Sequence, residues 1–408
     1  MTRVATGLDR IAAGEPEALR RVRGRKLGLV AHPASVALVN GRFMHAHEVL
    51  LAQGCDVRAL FGPEHGYGGH AQDMIAVVEE LPGSSRGRDP SKRVNVEPHV
   101  PVYSLYGASE ADLLPKREWL DGLDAVVIDL QDVGSRYYTF VWTAVLMLRA
   151  CASAGVPVVV LDRPNPLGGA IVEGGPQRPG YRSFVGLHDV AVRHGMTIAE
   201  ICELACLRED IDSAALEHVD LAGYARDMSY GETGLPWVLP SPNMPTLETA
   251  LVYPGGCLLE GTNLSEGRGT TRPFEIFGAP FVDGQALARE VSIAGAVLRP
   301  IHFEPTFHKH GKQRCGGVQV HVRDAQVFSP YAAYARLIAA CARLAPGAFA
   351  FRTETYEFVS DRPALDLLVG GPELRQCIEQ GAPVEDWLAE DARAAARFAE
   401  ERRAYLLY

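Results

Sequence analysis

Four glutamates stand where a chain can present a reacting carboxylate. Glu64 lies in FGPEHGYGG, directly after an apolar run and beside His65, Gly66, Gly68 and Gly69. A strand end followed by flexible loop residues is a catalytic address, although a carboxylate that only caps a turn reads the same way. Glu260 and Glu266 bracket a polar stretch in LLEGTNLSEGRGT, with Arg268 close behind. Two carboxylates near one cation can titrate differently, as acid and base roles require, or one of them can simply hold the loop through a salt bridge to Arg268. Glu173, in PNPLGGAIVEGG, is the fourth candidate; its glycines suit the wall of a site or a plain hairpin turn.

Glu260, Glu266 and Arg268 belong to the stretch from Gly234 to Pro280, which also carries Asn243, Asn263, Trp237 and many glycines and prolines. Its irregular pattern predicts a long ordered loop without secondary structure of its own, with Leu258 and Leu259 ending a buried strand. Carboxylates, amides and a guanidinium set between glycines form the polar inventory of a sugar site. Trp237 and Tyr67 are candidate platforms for a sugar face, whereas Tyr137, Tyr138 and Trp142 open a helical pattern and read as core. His302, His308 and His310, and His45 and His47, could suggest a metal, but neither group has HExxH or another strong ligand spacing. No strand pattern is followed by GxGxxG, and GxxxxGK[ST] and GxSxG are absent. The expectation is therefore no metal and no cofactor.

The elements that must carry these residues alternate. Apolar runs at residues 26–33, 57–66, 125–136 and 157–166 are interleaved with helical patterns at 41–53 and 138–154. Strands apolar on both faces and separated by helices predict βαβ units and a mostly parallel sheet, an α/β Rossmann-like domain. Ligands of such sheets sit outside the carboxyl ends of the strands, a rim that would gather Glu64, Asp132, Arg136, Asp162, Arg163 and Asn165. Residues 189–210 read as a further helix, with Arg193 and His194 just before it and Thr197 and Glu200 as a capping box. Beyond Pro280 the helical patterns 283–295, 330–344 and 384–405 and the strand patterns 301–306 and 317–322 predict a smaller α+β unit. The division expected is 1–280 for the larger unit and 281–408 for the smaller, with the site in the cleft between them.

The chain has 408 residues, 47% of them hydrophobic, and a formal net charge of −10. That acidic balance argues against nucleic-acid binding, and the basic run 20–26 reads as a solvated face. No window resembles a membrane span, and residues 1–24 lack the apolar core of a secretory signal, so the sequence reads as cytoplasmic, with export possible only from a longer N-terminus. The eight cysteines have no CxxC and read as reduced, mostly buried thiols.

Long blocks of the sequence (FGPEHG, DLQDVGSRYYTF, LDRPNPLGG with VEGG, RHGMTIAE, GLPWVLPSPNMPT, ALVYPGGCLLEGTNLSEGRGTTRPFE and the closing AYLLY) resemble a bacterial family first defined as a domain of unknown function, DUF1343. Its characterised members are NamZ-type exo-β-N-acetylmuramidases of glycoside hydrolase family 171. The resemblance implies a Rossmann-like domain with a smaller C-terminal domain. It also implies release of terminal N-acetylmuramic acid from the non-reducing end of peptidoglycan fragments, with a small glycan as partner and the oligomeric state open. On that basis the catalytic carboxylates are expected among Glu64, Glu260, Glu266 and Glu173. The substrate contacts are expected among His65, Arg136, Asn165, Arg193, His194, Asn243, Asn263 and Arg268. Arg268 or Arg193 would read the lactyl carboxylate that separates muramic acid from N-acetylglucosamine. The substrate's 2-acetamido group could itself replace a protein nucleophile.

Overall fold

The computed structural model describes residues 3–69, 71, 72, 75 and 100–408. In chain order its strands are β1 (Lys26–Ala31), β2 (Val36–Val39), β3 (Arg42–His45), β4 (Asp56–Gly62), β5 (Val102–Ser104), β6 (Ala125–Asp129), β7 (Val158–Leu161), β8 (Leu216–Val219), β9 (Ile276–Ala279), β10 (Ala296–Phe303) and β11 (Cys315–Val322). Six of them form one sheet in the order β5-β4-β1-β6-β7-β8, with every neighbouring pair parallel. The chain thus winds outward from β1 to β5 on one side, crosses back, and winds outward from β6 to β8 on the other. The order reverses between β1 and β6, and the crevice beyond that point is where a doubly wound sheet receives a ligand.

Alternation along the strands builds two cores. Val126, Ile128, Val158 and Val160 face the helix Phe140–Ala154, whose Trp142 is fully buried. Ala125, Val127 and Val159 face the other way, with Leu27 and Leu29, onto Leu8, Ile11, Leu19, Val49 and Leu50. Both faces of the sheet are therefore covered, as all-parallel pairing requires. The smaller antiparallel sheet runs β10-β11-β9 and packs beside the helix Pro330–Leu344.

Several local expectations are corrected. The stretch 234–280 is not without structure of its own: it contains the helix Leu247–Gly256, a 3-10 turn Cys257–Gly261 and β9. Leu258 and Leu259 sit in that 3-10 turn, not in a strand. Pro254 is tolerated inside the helix, and its carbonyl accepts from Tyr137 Oη at 3.1 Å. The helical reading of 41–53 fails over its first part, because Arg42–His45 pairs with Val36–Val39 as a hairpin and the helix is Ala46–Ala52. The helix expected at 189–210 starts only at Ile198, capped by Thr197 and Glu200 as predicted. β9 falls before residue 281 but pairs with β11, in the smaller sheet. Arg21 and Arg25 of the basic run both bind Glu217, which explains the run structurally. All eight cysteines are free, and all but Cys377 are buried. No described helix is long and apolar enough to cross a membrane.

Candidate active site

β4 ends at Gly62, and the chain then turns sharply: His65 takes φ 72° and Gly66 φ 82°. The turn is held by a 3.0 Å contact from His65 Nδ1 to the Ala71 carbonyl. It delivers Glu64, only 6% exposed, to the start of the helix Phe140–Ala154, where Thr139 donates its hydroxyl proton to Glu64 Oε2 at 2.7 Å. Glu64, His65, Tyr138 and Thr139 form one wall of a narrow cavity beyond the carboxyl ends of the strands. Tyr138 Oη is buried and has no hydrogen-bond partner among the described residues. Burial, with Glu64 and Asp132 adding to it, pushes this phenol well above its ordinary pKa, so it stays a proton donor.

The facing wall comes from later in the chain: Asn243, Glu260 and Arg268, with the aromatic rings of Tyr253 and Phe274. Glu260 has both oxygens engaged, Oε1 by Arg268 Nη1 at 2.8 Å and Oε2 by Tyr356 Oη at 2.8 Å. Arg268 also lies over the Phe274 ring, 5.0 Å from its centroid, and reaches Glu266 at 3.1 Å. Glu266 is completely buried behind this pair, with Lys309 Nζ at 3.1 Å and His308 Nδ1 at 2.9 Å. Burial pushes its carboxyl up, but Lys309, His308 and Arg268 outweigh that and hold it well below the usual carboxylate range. Glu266 therefore has no proton to give and does not line the cavity; it is the counter-ion that fixes Arg268.

Asn243, His65 and Arg268 are thus brought together with Glu64 and Glu260. The other expected contacts are placed elsewhere. Glu173 receives Arg193 Nη1 at 2.9 Å and Ser329 Oγ at 2.7 Å, while Arg193 Nη2 donates to the Leu167 carbonyl. The pair is a buttress between segments. Arg136 is fully buried and donates to the carbonyls of Gly175, Val190 and Leu368. Asn165 donates to Met196 O and accepts from Leu167 N. His194 accepts from Met196 N at Nδ1, with Nε2 3.4 Å from Asp132. Asn263 ties the loop to Ala348 and Ala350. Backbone groups hold Arg136, Asn165, Asn263 and one nitrogen of His194, and side chains hold Glu173, which is how polar residues at strand ends serve the fold.

The aromatic expectations change in the same way. Trp237 donates to Met244 O and meets Tyr230 edge-on, and Tyr67 contacts His45; neither lines the cavity, while Tyr138, expected as core, does. His310 binds the Asn263 carbonyl at 2.7 Å, and among the described residues no three His, Cys, Asp or Glu side chains group as metal ligands. Sequence reasoning missed Thr139, Tyr356 and Glu357, all of which line the cavity. The signal for the last two was an acid between two aromatics, Tyr356-Glu357-Phe358, in a stretch without helical or strand periodicity.

Comparison with known proteins shows the family to which the chain belongs. Residues 27–248 match the model of the family described as exo-beta-N-acetylmuramidase NamZ, N-terminal, and residues 251–408 match its C-terminal counterpart. The chain is 37% identical over 411 residues to the peptidoglycan beta-N-acetylmuramidase NamZ of Bacillus subtilis (strain 168), covering 100% of this chain and 92% of that protein. Among solved structures it resembles two DUF1343 family proteins of Bacteroides fragilis NCTC 9343. One has a TM-score of 0.82 at 29% identity with both chains covered completely. The other has a TM-score of 0.70 at 26% identity, covering 100% of this chain and 99% of that one.

Proposed function

From the premise that this chain belongs to the exo-beta-N-acetylmuramidase NamZ family, we propose that its Glu64 cavity is where terminal N-acetylmuramic acid is released from the non-reducing end of peptidoglycan fragments. The observation that carries the reading is the meeting, in one cavity, of Glu64 from the end of β4 with Glu260 and Arg268 from the far segment. Glycoside hydrolysis needs a proton on the leaving oxygen and negative charge facing the oxocarbenium-like sugar. Glu64, presented by a strained turn and steadied by Thr139, is the first carboxylate of that reaction. Glu260 instead orients Arg268, since both of its oxygens are already engaged.

Arg268 is the one arginine or lysine lining the cavity among the described residues, and it is the group we assign to the lactyl carboxylate. A guanidinium can bind that carboxylate through charge-assisted hydrogen bonds, which a sugar without the lactyl group cannot form. Arg193, occupied by Glu173 and Leu167 O, drops out of this role. The division into a larger and a smaller unit, with the cavity between them, is part of the same proposal; we place it near residue 250, where the two family models meet, which also leaves β9 with the smaller sheet it pairs in.

The test is turnover of a MurNAc–GlcNAc disaccharide and of 4-nitrophenyl β-N-acetylmuramide by the purified protein. Free N-acetylmuramic acid is the expected product, with little turnover of the N-acetylglucosaminide. Binding without turnover, or cleavage within longer glycan chains, would overturn the reading.

A further inference from the structure

Residues 356–359 form a tight turn: Tyr356 and Val359 exchange two backbone hydrogen bonds, each 2.9 Å, around Glu357 and Phe358. Both central residues have positive φ, 45° for Glu357 and 68° for Phe358. Two-residue hairpin turns with this geometry favour Asn-Gly or Gly-Gly, because a side chain in the left-handed region is strained. Here the turn carries a carboxylate and a large aromatic. Strain that the surroundings maintain marks a position where the side chain matters, and this turn directs Glu357 inward: it is 6% exposed and lines the cavity that holds Glu64. Tyr106 donates its phenol proton to Glu357 Oε2 at 3.2 Å, and the Tyr106 ring packs on Phe358 with centroids 5.8 Å apart.

Two other acids of this region are tied to Arg268. Glu260 is held on both oxygens by Arg268 and Tyr356, and Glu266 lies behind Arg268 as its counter-ion. We propose that Glu357 is the second reacting carboxylate, working with Glu64 on the terminal sugar. This rests on the reading above that the cavity is where the glycoside is cut. In the step, one of the two acids gives its proton to the glycosidic oxygen as the C1–O bond breaks, the bonding electron pair leaving with that oxygen. The other, as carboxylate, faces the positive charge at C1. Water then supplies hydroxide to C1 and its proton returns to a carboxylate, so the net reaction consumes one water and yields two free sugars.

The decisive variant is Glu357→Gly. Glycine accepts the positive φ, so the folded protein should melt at or above the wild-type temperature, while turnover of the MurNAc–GlcNAc disaccharide should fall by at least about 100-fold in kcat with KM little changed. Sodium azide should restore part of the turnover of 4-nitrophenyl β-N-acetylmuramide and yield the sugar azide, a product that loss of a merely structural residue would not create. Glu357→Gln, of nearly the same shape, should be as inactive on the disaccharide and remain folded. Retention of kcat within about threefold by either variant on both substrates, or a loss that only tracks a lowered melting temperature, overturns the proposal. Wild type and Glu64→Gln run alongside separate the two ideas. If wild type turns over and Glu64→Gln does not, normal activity in Glu357→Gln removes Glu357 alone. If wild type itself cleaves neither substrate, the reading of the cavity falls and the role of Glu357 with it.

Discussion

Two glutamate–arginine clusters in this chain look alike in sequence and behave differently in space. In the first, Glu173 and Arg193 bind each other, and their remaining groups reach Ser329 Oγ and the Leu167 carbonyl. Every strong interaction there points into the fold. In the second, one guanidinium serves two carboxylates, Glu260 and Glu266, with Lys309 and His308 on the far side of Glu266 and a cavity on the side of Glu260. The cation that faces the cavity is held from behind by Glu266, which does not line it. Residue type does not distinguish a buttress from a site. What distinguishes them is whether the interactions close on the protein or leave one face open to a ligand.

The sharpest break of this comparison is at the open side. Glu64→Gln keeps an oxygen for the Thr139 hydroxyl, so melting should be unchanged while kcat falls by about 10²–10⁴-fold, the range of a lost acid–base group. Glu173→Gln should do the reverse, lowering the melting temperature with about 1–3 kcal/mol of stability lost to a poorly paired, buried Arg193 while leaving kcat per folded molecule nearly intact. Paired melting curves and kcat values check both; a catalytic defect in Glu173→Gln with unchanged melting would erase the distinction.

The two arginines sharpen it further. Arg268→Met and Arg193→Met each strand at least one buried carboxylate, and each should cost about 3–5 kcal/mol, read in urea titrations. Only Arg268→Met should change selectivity. It should raise KM for the muramic substrate far more than for the glucosamine analogue, narrowing their ratio. Equal losses on both sugars would mean that Arg268 only orders its segment.

The sheet and the rim were legible in the sequence because burial on both faces leaves a plain apolar signal: β1, β6 and β7 fall within the predicted runs, and β4 begins one residue before its own. The edge strands β5 and β8 were not, since short strands at the border of a sheet carry little of that signal. The place of Glu64 at a strand end was legible from the apolar run before it and the glycines after it. Arg136, Asn165 and His194 were misread because a side chain that satisfies backbone carbonyls and one that meets a ligand have the same chemistry; only the course of the chain decides between them. The place of Glu357 in the cavity was not legible, because it depends on two positive φ angles and on the proximity of a segment almost 300 residues from Glu64 in sequence, given by neither composition nor period.

A third closed cluster gives a pH test. Asp162, beyond the end of β7, is fully buried and accepts from Ala199 N at 3.2 Å and from Tyr408 Oη at 2.9 Å. Burial pushes its carboxyl up to about 7, from an ordinary value of 3.8, with Glu200 adding to the effect and hydrogen bonds opposing it. A carboxyl raised on folding binds its proton more tightly in the native state. Its contribution to stability is therefore complete below about pH 4 and is lost as the pH rises through about 7. The separation corresponds to at most about 4 kcal/mol. Asp162→Asn should flatten that part of the stability profile between pH 5 and 8, gaining on wild type at the alkaline end. A wild-type profile parallel to that of Asp162→Asn across this range would show that the carboxyl is not held protonated.

The smallest effect is expected from chelation, and it asks whether the histidines near the second cluster belong to its closed side. His308 spends Nδ1 on Glu266, and His310 spends Nε2 on the Asn263 carbonyl, so each has given one ring nitrogen to the protein. A metal held there would have to compete with Lys309 and Arg268 for Glu266, whose carboxylate already has three cationic or hydrogen-bonding neighbours. Like charge beside a cation site weakens it, and a ligand oxygen already saturated by donors has little left to offer. Dialysis against EDTA should accordingly leave kcat and the melting temperature of the wild type within error. Loss of activity on chelation that zinc or magnesium restores would place a metal in this region and require the Glu266 cluster to be reread as a ligand set, not as the support behind Arg268.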